Sequence, residues 1–361
     1  MTIHFQHSQS AHCENGSTAN LLRYYGVDIN ESLAFGIGSG LFFAYLPFIR
    51  INHIPVTSFR PMPGMIFKRT AKTLGVKIFQ KKFRDKIASM TALDAVLAQN
   101  IPVGLQVGVF HLTYFPRPYR FHFNAHNLVV YGKEDGRYLI SDPVMETAVS
   151  LSYDELMRVR WARGMFEPRG HMYYPVKIPA QIDLAAAIIK GIRRNCREML
   201  SIPLPFFGIR GIRYVAKQVQ KWPEKLGEKQ AALYLGNFIR MQEEIGTGGG
   251  GFRFIYGAFL QEAAKVLNKP RLRELSQDMT TIGDRWREFA AIGGRIIKKR
   301  NNAQENYGAM SAILAEIADR EQHLFTELKK PSHENRFDHT GIRINEGLSG
   351  FIDTGRRSVK L

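Results

Sequence analysis

Cysteine is almost missing from this chain: its 361 residues hold only Cys13 and Cys196. Two thiols in unlike surroundings exclude a disulfide scaffold and fit a reducing compartment, so a cytoplasmic protein is expected. No run of about 18 apolar residues occurs, which excludes a hydrophobic membrane span. The first residues hold His4, His7 and His12 but no basic-then-apolar segment, so no cleaved leader is expected; cleavage would also remove Cys13. Acidic residues are scarce. Fifty Lys and Arg face 32 Asp and Glu, a net charge of +18. Such an excess calls for an anionic partner or surface: nucleic acid, anionic lipid or an acidic protein. The bland alternative is a soluble enzyme from a lineage of basic proteins. Zinc-finger spacing and RNA-recognition signatures are absent, so no specific nucleic-acid partner is expected. No His and carboxylate set shares one face, so no metal site is expected.

What is present suffices for real cores, since 45% of the residues are hydrophobic. At this length two domains are the default. Residues 14–25 read as a helix with Gly26 beyond its end, and Glu31–Phe35 as a short helix. Gly36-Ile37-Gly38-Ser39-Gly40 reads as a tight loop before a strand-like run, 41–46. Helices follow over 65–74 and 91–99, and strands over 76–79 and 101–110. An aromatic loop, 111–123, is broken by Pro116 and Pro118. Strands 128–131 and 138–140 form a hairpin across Lys133-Glu134-Asp135-Gly136. Ser152-Tyr153-Asp154-Glu155 is a capping box opening a helix, and 170–174 is a last strand. Beyond Lys177 the patterns turn helical: 183–200, 210–220, 226–245, 251–268, 271–289 and 302–329. The expected organisation is an α+β domain over 1–178, an all-helical domain over 179–330 and a polar tail over 331–361. No internal repeat is found.

Cys13 opens the first helix, where the positive end of the helix dipole favours thiolate, the reactive form of the side chain. The bland reading is a small buried hydrophobe, the commoner fate of a cysteine. His126 opens a strand-like run and Asp142 closes the next one. Cys near the start, then His on a strand, then Asp on the following strand is the chain order of a papain-like site. His126 is the candidate base, with His122 as the alternative. Asp142 would orient the imidazole and stabilise its cation, unless it is merely the turn residue before Pro143. His12 would shape the pocket or donate a hydrogen bond. An oxyanion hole needs a donor beside the Cys13 N–H, and Gln6 and Gln9 are near enough in sequence to supply it. Cys196 reads as packing.

A second local signal is Gly246-Thr247-Gly248-Gly249-Gly250-Gly251-Phe252-Arg253. Consecutive glycines ahead of a helix, with Arg253 close by, could cradle an anion such as a phosphate. The competing reading is a hinge or a close helix crossing. No Lys-Ser/Thr follows, so this is not a Walker loop, and the glycines at 36–40 follow a helix rather than a strand, which excludes a dinucleotide fingerprint.

His12-Cys13-Glu14, the helix through Leu21-Leu22, Tyr25-Gly26, Asn30-Glu31-Ser32 and Phe35-Gly36-Ile37-Gly38-Ser39-Gly40-Leu41-Phe42 resemble the N-terminal domain of butirosin biosynthesis protein H. His126 with its strand and the ending Ser141-Asp142-Pro143 resemble it too, and the glycine run through Arg253 resembles the helical domain that often follows. The similarity covers most of residues 3 to about 325. It implies a papain-like, C39-like cysteine fold used for acyl transfer. Carried onto this chain, Cys13 would take an acyl group from the phosphopantetheine arm of an acidic acyl carrier protein, and His126 would deprotonate a small-molecule or lipid acceptor. No resident cofactor is expected. A basic chain with an Arg253-bearing glycine loop would suit both the acidic carrier and its phosphate. Aromatics over 114–123, with Phe42 and Phe43, could line an acyl pocket or belong to ordinary cores. Two other readings stand beside this one: a hydrolase (peptidase, amidase or thioesterase) using the same residues, and a non-catalytic binder of acidic partners with a buried, inert Cys13. Either oligomeric state is open, and the helical half has apolar faces enough for a homodimer.

Overall fold

The computed structural model describes residues 3–330 and 342–343. Within them the chain forms two compact units, one over 3–34 and 71–183, the other over 35–70 and 184–330. The expected break at 178/179 is therefore corrected. Residues 35–70 interrupt the α+β unit and belong with the helices. The cause is apolar: Phe43 and Phe59 are fully buried against Phe238 and Trp286 of the helical unit. The expected tail falls outside the described residues, apart from a two-residue strand, Ile342–Arg343, paired with Gln181–Ile182.

In chain order the elements are α1 (Cys13–Tyr24), α2 (Glu31–Ile37), β1 (Ala44–Ile51), β2 (Ile54–Ser58), α3 (Met65–Thr73), β3 (Lys77–Lys81), α4 (Lys86–Leu97), β4 (Val103–Val107), β5 (His126–Glu134), β6 (Arg137–Ser141), β7 (Val149–Leu151), α5 (Tyr153–Arg160) and β8 (Met172–Lys177). Helices α6 (Leu184–Leu200), α7 (Gly208–Val219), α8 (Trp222–Leu226), α9 (Glu228–Glu243), α10 (Arg253–Val266), α11 (Pro270–Ile297) and α12 (Tyr307–Lys329) complete it.

The first unit is built on an antiparallel sheet of order β3-β8-β4-β5-β6-β7. Alternate residues of its central strands, Leu105 and Val107 on β4, Leu128 and Val130 on β5, Tyr138 and Ile140 on β6, meet Met90 and Leu93 of α4 and Leu156 and Val159 of α5 in one core. Each such aliphatic side chain taken from water contributes about 1.5–3 kcal/mol. Helix α1 is buried from Cys13 through Leu22 and touches β4 and β5. It stops at Gly26, whose φ of 80° suits glycine, with Gly26 N–H on Arg23 O and Val27 N–H on Leu22 O closing the last turn. The capping box is formed: Ser152 Oγ accepts from Glu155 N–H and the Glu155 carboxylate accepts from Ser152 N–H. Helix α4 begins earlier than expected because Asp85 caps it, accepting from Ala88 N–H at 2.7 Å.

The second unit is all-helical apart from the β1–β2 hairpin, which the sequence reading saw only as a strand-like run. Asn52 and His53 turn it with φ of 51° and 66°. The glycines at 36–40 are also not simply a loop, since α2 runs through Gly36. A Cβ there would lie 2.1 Å from the Phe259 ring, and one at Gly191 would lie 2.4 Å from Gly36 O. These glycines serve close approach of elements.

Candidate functional site

Cys13 is the first residue of α1, behind the N-cap His12. His12 Nδ1 accepts from Asn15 N–H at 3.4 Å, so this ring nitrogen serves as an acceptor at the helix start. The approach to the helix is fixed by Glu31, whose carboxylate accepts from Ala11 N–H at 3.0 Å and His12 N–H at 2.7 Å. Burial raises the Glu31 carboxyl, and these two donors oppose it.

β5 and β6 bring the other two groups together. The strands pair antiparallel, with Val129 opposite Ser141, so the start of β5 and the end of β6 lie at the same edge. His126 opens β5 and Asp142 follows β6. His126 Nε2 lies 2.7 Å from Asp142 Oδ2, with both side chains buried. The Tyr114 hydroxyl donates to the same oxygen at 2.7 Å, and Val144 N–H donates to Asp142 Oδ1 at 3.2 Å. Phe115 stands edge-on to the His126 ring at 5.5 Å.

Cys13 lies near enough to His126 for its charge and hydrogen bonding to act on the ring. With Nε2 on Asp142, the ring nitrogen left for Cys13 is Nδ1. Burial alone would lower the imidazole, but the charges of Asp142 and Cys13 and the hydrogen bonds to both prevail, and His126 is raised to about 10. At neutral pH the ring is therefore an imidazolium, the partner that favours a thiolate beside it. Cys13 itself shows 7% of its surface. Tyr114 rises well above its usual range through burial, then through the charge of Asp142 and its hydrogen bond. Tyr173 on β8 rises likewise, through burial and then the charges of Glu14 and Cys13. Its hydroxyl donates to Asn127 Oδ1 at 2.9 Å.

The N-terminal strap is pinned beside Asp142. Ser10 N–H donates to Pro143 O at 2.7 Å, and His7 bridges Ser141 Oγ at 2.8 Å and Met145 O at 3.1 Å. The carbonyl can only accept, so His7 Nε2 carries the proton and Nδ1 accepts from Ser141.

Cys13, His126 and Asp142 are thus brought together. His122 is not among them; it is exposed and stacks on Phe110 at 4.1 Å. Gln9 and Gln6 are exposed. Tyr114, which the sequence reading placed only among pocket aromatics, is a direct partner of Asp142. Nothing in its loop position signals this. Cys196 is buried, and burial pushes its thiol up to about 12.

The anion-cradle reading of the glycine loop is corrected. Arg253 is fully buried in the second unit and its fork is taken by Glu321, Nε to Oε1 at 2.9 Å and Nη2 to Oε2 at 3.0 Å. Trp286 Nε1 donates to the same carboxylate at 2.9 Å, and the guanidinium lies over the Trp286 ring at 5.0 Å. Gly248 is exposed, whereas Gly249 and Gly250 are buried. Gly250 N–H already donates to the Glu243 carboxylate at 3.1 Å. The loop is internal scaffolding, its φ values of 69°, 85° and 57° at Gly248, Gly249 and Gly250 explaining the residue type. Phe43 is likewise core and not an acyl pocket wall.

The first unit has the papain-like arrangement: a nucleophile at the start of a buried helix, facing an antiparallel sheet that supplies His and then Asp. Residues 12–143 match the family model for butirosin biosynthesis protein H, N-terminal, and residues 154–328 match that of a domain of unknown function, DUF4872. The two matches lie one after the other along the chain. Among solved structures, a Bacillus anthracis protein described as a candidate C39-like peptidase is similar at 15% identity, over 49% of this chain and 98% of that one, with a TM-score of 0.35. No curated protein matches the chain.

Proposed function

We propose that this protein, similar over residues 12–143 to butirosin biosynthesis protein H, N-terminal, is a cysteine acyltransferase of a biosynthetic pathway. It moves an acyl group from a carrier-protein thioester, through Cys13, to an amine or hydroxyl acceptor. The observation that carries this reading is the linked set Cys13–His126–Asp142, with His126 Nε2 2.7 Å from Asp142 and Cys13 acting on the same ring.

The reacting pair is a Cys13 thiolate beside the His126 imidazolium. The thiolate attacks the thioester carbonyl, the bond to the phosphopantetheine sulfur breaks, and the leaving thiolate takes the Nδ1 proton of His126. An acyl-Cys13 thioester and a neutral imidazole remain. The acceptor then attacks this carbonyl while His126 Nδ1 takes its proton, Cys13 leaves as thiolate, and the imidazolium is restored. Asp142 keeps Nε2 protonated and the ring aimed throughout, with Tyr114 steadying the carboxylate. The Cys13 N–H, at the start of α1, is placed to donate to the oxyanion. An acidic carrier protein suits a chain of net charge +18.

The hydrolase reading uses the same residues and differs only in the acceptor. The two separate on product analysis: the protein is supplied with acyl-loaded carrier protein and a panel of amines and alcohols. Amide or ester outrunning free acid supports transfer, and free acid alone would replace it with hydrolysis. The non-catalytic reading expects a buried, inert Cys13; Cys13 is buried, and its interaction with His126 is what favours the catalytic reading.

A further inference from the structure

Within the second unit, the β1–β2 hairpin turns through exposed Asn52 and His53, and the β1 arm beside the turn bears exposed apolar side chains. The ladder pairs Ile51 with Ile54 and Arg50 with Pro55, then jumps to Leu46 opposite Val56. Pro47, Phe48 and Ile49 therefore bulge out of the register, unmatched on β2. Phe48 is 66% exposed, and Ile49 and Ile51 are exposed with it. Leu204, in the segment between α6 and α7, is exposed as well, and that segment lies beside the bulge through the Phe48–Phe206 ring contact at 5.2 Å. Contiguous exposed side chains of this size mark an interaction site.

The two stretches that build this feature carry no acidic residue. The sequence holds no Asp or Glu between Glu31 and Asp85, and none between Glu198 and Glu224. These two stretches build the hairpin and the segment beneath it. They present exposed Arg50, His53, Arg210 and Lys217.

We propose that the β1–β2 hairpin seats the protein on an anionic lipid surface. Phe48, Ile49 and Ile51 enter the acyl boundary, while Arg50 and the flanking cations meet the phosphate headgroups. Exposed apolar side chains on stretches that carry cations and no carboxylate are the composition such a surface selects. The long stem of Arg50 lets it reach headgroup level from between two inserted isoleucines.

The test is co-sedimentation of the full chain with vesicles of phosphatidylcholine alone or mixed with phosphatidylglycerol. Binding is expected to the mixed vesicles and to weaken with salt. The double variant F48S/I49S is expected to lose it roughly tenfold or more, with far-UV circular dichroism unchanged because both residues are exposed. A Phe48→Trp variant adds a gain of signal: its fluorescence should shift to the blue on mixed vesicles only. Failure of wild type to bind mixed vesicles would overturn the proposal, as would equal binding by F48S/I49S. A wild-type dimer that becomes a monomer in F48S/I49S, without vesicle binding, would instead make the hairpin a contact between copies.

Discussion

His126 Nε2 and Asp142 Oδ2 lie 2.7 Å apart, at the start of β5 and just past the end of β6. The hairpin between them fixes this geometry, so the imidazole reaches Cys13 with its tautomer and orientation already set. Because the pair is buried, its charges act at short range with little screening.

One consequence is a graded response at Asp142. Asp142→Asn retains an oxygen that can accept from His126 Nε2 but removes the negative charge. Asp142→Ala removes both. Turnover is expected to fall in the order wild type, Asp142→Asn, Asp142→Ala, with steps of about tenfold or more. Steady-state rates at pH 7 check this; equal loss in the two variants would mean that charge alone matters.

The raised His126 has a signed prediction. Removing an anionic neighbour destabilises the imidazolium, so Cys13→Ala should lower its midpoint from about 10. The folded value lies above the ordinary imidazole value of 6.5, so this group's contribution to stability is fully present below about 6.5 and is lost as pH rises through about 10. Nitrogen-resolved NMR titration of both proteins reads the midpoints, and denaturant unfolding across that pH range reads the stability.

Tyr114 contributes a buried hydroxyl to the shared Asp142 oxygen. Tyr114→Phe should cost about 1.5–3 kcal/mol, the range for a hydrogen bond to a charged group, and slow turnover more than it raises KM. Thermal unfolding with kinetics measures both. An unchanged Tm would remove Tyr114 from the account.

The sequence made much of the candidate site legible because its cues are local. A cysteine at a helix start, a histidine opening a strand and an aspartate closing the next are each visible within a few residues, and Asp135-Gly136 marks the turn that brings the strands back. Tyr114 was not legible, since it sits in an aromatic loop and meets Asp142 28 residues later. Arg253 misled for the same reason. Its partner Glu321 lies 68 residues on, so the arginine read as an open anion site. The placement of residues 35–70 with the helices likewise rests on distant packing of Phe43 and Phe59 that no local pattern encodes.

The Arg253–Glu321 pair yields a stability prediction independent of chemistry. Either single change, Arg253→Met or Glu321→Leu, strands a buried charge and should cost about 3–5 kcal/mol. The double variant should recover much of that. Denaturant unfolding of the three proteins distinguishes coupling from simple additivity.

The central claim is that Cys13 carries the acyl group. Intact-protein mass spectrometry after mixing with acyl-loaded carrier protein tests it most directly. The account predicts a mass gain equal to the acyl group in wild type and none in Cys13→Ala. Acylation of the Cys13→Ala protein, or a wild type that gains no mass from any loaded carrier and whose Cys13 also resists iodoacetamide, would contradict it.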